Sequence, residues 1–169
     1  MHRVLRTTVT ALMVTCISAN AWGATVNSSG CANPEDISAV RAAAVQQRLM
    51  VAAFSCQAID RYNKFVITYR NDLQASDLAL QRFFRRLYGQ TGTADYHAFK
   101  TRLANTSSID SIHDVRGYCA NAEATFDAAL SDRKKSLTIF LAGQPTEADR
   151  AFAPCQVRTA NESQPPGER

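Results

Sequence analysis

Two apolar stripes run side by side through Val45 to Tyr69 (VQQRLMVAAFSCQAIDRYNKFVITY), and no other stretch constrains the fold as tightly. Val45, Leu49, Ala52, Cys56, Ile59 and Val66 recur at steps of four and three, with Asn63 filling the missing step. That is the period of one helix face. Met50, Phe54, Ala58, Tyr62, Phe65 and Tyr69 form a second stripe beside it. A face this wide exceeds what one partner helix covers, so the segment is expected in the middle of a bundle with neighbours on several sides. Gln46, Gln47, Arg48, Gln57, Asp60, Arg61 and Lys64 fill much of the remainder. Asn63 on the apolar seam would have to find hydrogen bonds there, and would fix helix register or line a small pocket.

The N-terminus reads as a secretory signal. Arg3 and Arg6 supply a positive end, Val9 to Ile17 a short apolar run, and Ala19-Asn20-Ala21 an A-x-A cleavage pattern. Residues 1–21 are therefore expected to be removed on export to the periplasm or beyond. The apolar run is too short to span a bilayer comfortably, and no transmembrane helix is expected in the mature chain. The whole chain has a formal charge of +4, but removing 1–21 takes away two arginines and no acid. That leaves 17 basic against 15 acidic residues, or +2. So small a surplus gives no warrant for nucleic-acid binding, which needs a concentrated basic face. With 46% hydrophobic residues the chain is globular, and its length suits one domain with a real core.

Export also governs the cysteines. Cys31, Cys56, Cys119 and Cys155 survive processing, and an even number in an exported chain argues for two disulfides. Their spacings match no zinc motif, which brings ligands in close pairs. Cys119 falls on a stripe of Ile112, Val115, Cys119, Ala122 and Phe126, so it points inward as Cys56 does. The preferred pairing is Cys56 with Cys119 and Cys31 with Cys155, and the runner-up is Cys31 with Cys119 and Cys56 with Cys155. Long closed loops of this kind contribute roughly 3 to 5 kcal/mol each in the chain-entropy model.

Residues 22–32 read as a polar leader. Asn33 caps a first helix with Pro34 at its first position and Glu35 and Asp36 in its first turn. That helix can run on to about Arg70, unless a bend divides it. Asn71 to Ser76 reads as a connection, and Ser76 caps a second helix that Gly89 ends in a left-handed position. A third helix is expected from Thr93 to Asn105 and a fourth from about Ser108 to Leu130. Gly117 inside the fourth suggests close approach of another backbone. Leu137 to Ala142 reads as a last short helix, and Thr146 to Ala153 as one or two helical turns. The polar, proline-rich residues 156–169 are expected to be disordered.

The segments QQRLMVAAFSC, YNKFV, FFRRLYG, HAFKTRLAN and GYCANAEATF, in this order, resemble a group of small exported proteins of alphaproteobacteria. The resemblance spans about Cys31 to Phe126 and implies no activity, so it assigns no catalytic or binding residue. Some members carry the label S-adenosylhomocysteine hydrolase. The residues do not support that label, because the chain has no G-x-G-x-x-G phosphate turn.

Chemistry-bearing residues are few. His97 and His113 would form a shared acid–base or metal site only if the third and fourth helices brought them together; otherwise they are surface histidines. There is no G-x-S-x-G nucleophile elbow, and no unpaired cysteine remains to act as a nucleophile. Arg82, Arg85 and Arg86 stand on one side of a helix above an aromatic face and form the candidate anion-binding surface; the bland alternative is a solvated face over Phe83 and Phe84. Arg133-Lys134-Lys135 is a second basic cluster. The sequence therefore predicts an all-α, single-domain, disulfide-stapled bundle of four to six helices over 33–155. Its expected role is that of a non-catalytic binding module without cofactor or metal. An envelope protein, a cell-wall component or an anionic lipid surface would be its partner. A small hydrolase using His97 and His113, and a chaperone-like holder of envelope proteins, are the alternatives.

Overall fold

The computed structural model describes residues 30–131, 136–144 and 146–155. The expected signal at 1–21, the tail at 156–169 and the Arg133-Lys134-Lys135 cluster lie outside the described residues. Those residues form an all-α, disulfide-stapled bundle: α1 (Pro34–Ser55), α2 (Ile59–Thr68), α3 (Arg70–Tyr88), α4 (Gly92–His113), α5 (Val115–Leu130) and α6 (Leu137–Ala142). Short 3-10 turns occupy Gly89–Thr91 and Glu147–Ala151. No helix among the described residues is long and apolar enough to cross a membrane.

The start of α1 follows its sequence signals. The Asp36 N–H donates to Asn33 Oδ1 at 2.9 Å, and the Asn33 N–H donates to the Asp36 carboxylate at 2.8 Å. This reciprocal capping box satisfies two of the backbone donors that a helix start leaves open. The helix does not run on to Arg70. It ends at Cys56, where Gln57 takes a φ of +56° and the Ala58 N–H reaches back to the Ala53 carbonyl at 3.0 Å. That is a left-handed helix stop in which glutamine stands where glycine is usual.

This break displaces every stripe counted straight through it. Val45, Leu49 and Ala52 before it, and Phe65 and Tyr69 after it, are buried as expected. Phe54, by contrast, is 74% exposed, Ile59 is exposed, and Asn63 faces solvent instead of lying in the seam. The stretch from Asn71 to Ser76 is not a connection but the first turns of α3, with Leu73 buried and the Asp72 carboxylate accepting the Leu137 N–H at 3.1 Å. Here tertiary contacts override the polar composition that suggests a loop.

Gly89 ends α3 at φ +58°, as its position predicts. Three residues later Gly92 serves a different purpose: a Cβ there would stand 2.6 Å from the Phe84 carbonyl and 2.7 Å from the Arg85 Cα, so only glycine lets α4 start against α3. The boundary expected near Asn105 is absent, and α4 runs on to His113. Through Thr106-Ser107-Ser108 and beyond, serine hydroxyls find acceptors on their own helix, Ser108 Oγ donating to the Ala104 carbonyl at 2.9 Å and Ser111 Oγ to the Ser108 carbonyl at 2.8 Å. The break falls at Asp114, whose carboxylate accepts the Gly117 N–H at 2.9 Å and caps α5. A Cβ on Gly117 would lie 2.2 Å from that carboxylate. This glycine makes room for the cap and not for another backbone. The same break leaves Ile112 and Val115 exposed, whereas Ala122 and Phe126 stay in the core.

Both disulfides are those preferred from the helix faces. Cys56 and Cys119 join the end of α1 to α5 with Cα atoms 5.5 Å apart, and Cys31 and Cys155 tie the two ends of the domain together at 4.9 Å. Two hydrophobic clusters share α1. Val45 and Leu49 pack with Phe65, Phe126 and Phe140, while Val40 and Ala43 pack with Leu80, Phe83, Phe84 and Phe99. As expected for a wide apolar face, α1 is the central helix.

A polar tie joins α3 to α4. The Asp77 carboxylate accepts from Tyr96 Oη at 2.7 Å, Lys100 Nζ at 2.8 Å and Gln81 Nε2 at 2.9 Å. Burial by itself pushes the Asp77 carboxyl up, but the three hydrogen bonds and the Lys100 charge outweigh it and hold its pKa below the ordinary value. A carboxylate depressed in this way stabilises the fold above its unfolded pKa, about 3.9, and ceases to do so as pH falls through the folded value. Asp77→Asn is expected to cost about 2 kcal/mol at pH 7 and to flatten the acid limb of the stability profile below about pH 4. Urea midpoints measured from pH 2 to 7 check this; acid limbs of equal slope in both proteins would refute it.

Candidate functional site

The three candidate arginines occupy the last turns of α3. Arg86 forms an ion pair with Asp36, donates to the Cys31 carbonyl at 3.4 Å and sits 5.3 Å over the Phe83 ring. Arg82 reaches Glu35 at 3.3 Å, both side chains being largely exposed. The first-turn acids of α1 thus serve the helix dipole and also engage two of the three arginines. Arg85 has no ion pair among the described residues and lines a small pocket of about 130 Å³ with Gln81, Thr93, Tyr96 and His97.

His97 and His113 are not brought together. Both belong to α4, sixteen residues apart, which at 1.5 Å and 100° per residue separates them by about 24 Å on nearly opposite faces. Both are exposed. Among the described residues no group of three or more His, Cys, Asp or Glu side chains converges as metal ligands would.

A different arginine stands out on physical grounds. Arg48 lies on α1 between the two core clusters, half-buried, where α4 and α5 cross it. Its Nε is shut off from solvent and has no hydrogen-bond partner. Four other half-buried basic side chains are paired: Arg41 with Asp149, Arg61 with Asp127, Arg86 with Asp36 and Lys100 with Asp77. An unmatched buried donor costs about 1–3 kcal/mol, and more when charged. Burial pushes the pKa of Arg48 below the ordinary arginine value, partly offset by Tyr118. An arginine so far above neutrality nevertheless remains a cation.

Two grooves meet at Arg48 and Asp110. One, of about 790 Å³, has an apolar wall that includes Phe99, Leu103 and Phe152 and carries Arg102 at its edge. The other, of about 740 Å³, is more polar and is lined by His113, Tyr118, Asn121 and Thr125. Tyr118 fixes the crossing of α5 over α1 by donating from its hydroxyl to the Arg48 carbonyl at 2.8 Å. Burial raises the pKa of that phenol, against the opposing effects of Ser107 and Arg48, so it remains protonated.

The C-terminal segment forms the far wall. Phe152 is inserted among Phe83, Phe84 and Phe99, with ring centroids 4.9, 5.8 and 5.7 Å away. Asp149 accepts from Arg41 Nε at 2.7 Å. A two-bond bridge, Ala32 N–H to the Ala153 carbonyl at 2.8 Å and Cys155 N–H to the Ala32 carbonyl at 2.9 Å, adjoins the Cys31–Cys155 disulfide.

The polar stretch around Arg48 puts it on the solvated side of α1, which the fold does not bear out. One signal points the other way: its neighbours three and four residues off, Ala44, Val45, Val51 and Ala52, are all apolar. No family model, no curated protein and no solved structure matches this chain.

Proposed function

We propose that the chain is a non-catalytic binding module of the cell envelope, exported to the periplasm or secreted, that holds an anionic ligand in the groove over Arg48. The supporting observation is the guanidinium itself: a half-buried cation without an acidic partner among the described residues, at the junction of two grooves. An anion in the groove would give the guanidinium the charge partner that it lacks among the described residues, and a guanidinium fork matches oxyanions in its geometry. The two disulfides and the A-x-A signal pattern support an oxidising compartment. Arg85 is the accessory candidate for an anionic surface, since Arg82 and Arg86 already face acids.

One observation favours the chaperone-like holder as a second reading. Ser55 Oγ reaches Ser111 Oγ at 3.3 Å, so α1 and α4 end side by side. That end exposes Phe54, Ile109, Ile112 and Val115, and clustered exposed apolar side chains mark interaction surfaces.

The test is capture of the oxidised mature protein on sacculi, anionic vesicles and soluble periplasmic proteins at low and high salt. Retention is expected to fall with salt and to be lost in Arg48→Gln, with Arg85→Gln having the smaller effect. Retention that resists salt and is lost in Phe54→Asp with Ile112→Asp would establish the second reading. No retention in any fraction would sink both.

A further inference from the structure

We infer that the group held at Arg48 is a carboxylate on a short apolar stem, anchored by the guanidinium and with its stem against Phe99, Leu103 and Phe152. This rests on the reading of the groove as an anion site and adds the ligand's class. The charge balance selects a monoanion. Of the charged residues around the larger groove, Glu147 is paired with Arg150 and Asp149 with Arg41. That leaves Arg48 and Arg102 against Asp110, a surplus of one positive charge. A dianionic phosphate would bring two charges to a site with one to spare and an acid beside it, whereas a carboxylate balances it. The like charge of Asp110 disfavours the more highly charged ligand.

Shape points the same way. The groove volume of about 790 Å³ falls in the range of small-molecule sites, which are mostly apolar with a few polar groups that fix orientation. Here the apolar side is a wall of core aromatics that continues to the surface, since Phe99 and Phe152 also pack on Phe84. A carboxylate facing Arg48 would accept two parallel hydrogen bonds from its fork, and a stem of a few carbons or one ring would lie along that wall. The neighbouring side-chain carboxylate does not fill the role, because Asp110 forms no ion pair with Arg48.

The wall depends on the Cys31–Cys155 disulfide and on Phe152. Its integrity therefore belongs to the site, and binding is expected to weaken when the segment is untied.

The experiment titrates the oxidised mature protein with 3-phenylpropionate, its neutral amide, phenylphosphonate and inorganic phosphate. The Arg48 Nε–Hε resonance and the amide resonances are followed by NMR. The expected result is saturable movement of the Arg48 signal and of Ser107, Leu103 and Phe152 with 3-phenylpropionate and none with the amide. Arg48→Lys keeps the charge but loses the fork, and is expected to weaken binding by roughly tenfold or more. Should that variant fail to fold, the wild-type shift map decides alone. Movement of Arg48 by phosphate or phenylphosphonate but not by the carboxylate would overturn the ligand class and leave the anion site standing. An Arg48 resonance unmoved by every anion would overturn both.

Discussion

Replacing Cys56 and Cys119 together by alanine is expected to lower the thermal midpoint of the oxidised protein by on the order of 15 °C. The bridge spans 63 positions, and in the chain-entropy model closing a loop of that size restrains the unfolded chain by about 4 kcal/mol. Local structure adds to the effect. Cys56 is the last residue before the left-handed Gln57, so the disulfide holds α1 at the point where the chain turns into α2. Without it, the stop relies on the Ala58 to Ala53 hydrogen bond and on an unfavourable glutamine φ. Scanning calorimetry on the double variant, beside Cys31→Ala with Cys155→Ala, measures both. A loss under about 5 °C for Cys56 and Cys119 would show that packing alone fixes the α1–α5 crossing. The terminal pair has a second readout: untying it should release Phe152 from Phe83 and Phe84 and weaken whatever the Arg48 groove holds.

Gly92→Ala is the second large effect, and its sign is informative. Within a helix, alanine is favoured over glycine by about 1 kcal/mol. Here the added methyl would stand 2.6 Å from a carbonyl oxygen and 2.7 Å from a Cα, both main-chain atoms that cannot rotate away. Helices α3 and α4 would have to part to admit it, which disturbs Phe84 and its contacts with Tyr96 and Phe99. The net loss is expected to be about 3 kcal/mol. Gly143→Ala serves as the control, because its Cβ would meet the Phe140 carbonyl at an ordinary 3.6 Å; it should change stability by less than about 0.5 kcal/mol. Equal urea midpoints for the two variants would refute the close approach.

Features carried by local chemistry are legible in the chain itself. Asn33, Pro34 and Asp36 announce a helix start because capping is completed within four residues, and Gly89 announces a helix end because its positive φ suits glycine. Burial of Leu49, Ala52, Phe65 and Phe126 follows from period alone, and the faces of Cys56 and Cys119 favour the pairing that the structure shows without excluding the runner-up. The internal breaks are not legible. At Gln57 the chain reverses its turn at a residue with no preference for doing so, and at Ser107 it stays helical through residues that favour loops. Asp114 takes the role of cap in the midst of an otherwise continuous pattern. A break shifts the phase of the stripe around it, which is why Phe54, Asn63 and Ile112 read as inward-facing and stand outside.

The candidate site shows the same division. Arg82, Arg85 and Arg86 read as one basic face because three residues share a helix side, but the acids that engage two of them come from the start of α1, almost fifty residues earlier. Arg48 looks solvated because it follows polar neighbours; its burial depends on α4, α5 and the C-terminal wall converging over it. Helix starts and core periodicity were determined by the sequence itself, since each rests on interactions spanning a few residues or one helix face; for the cysteines it gave a preferred pairing and a runner-up, and the fold decided between them. Where helices break, which charges meet and which one is left without a partner were decided only by tertiary structure, because these depend on groups far apart in the chain and on the desolvation that their packing imposes.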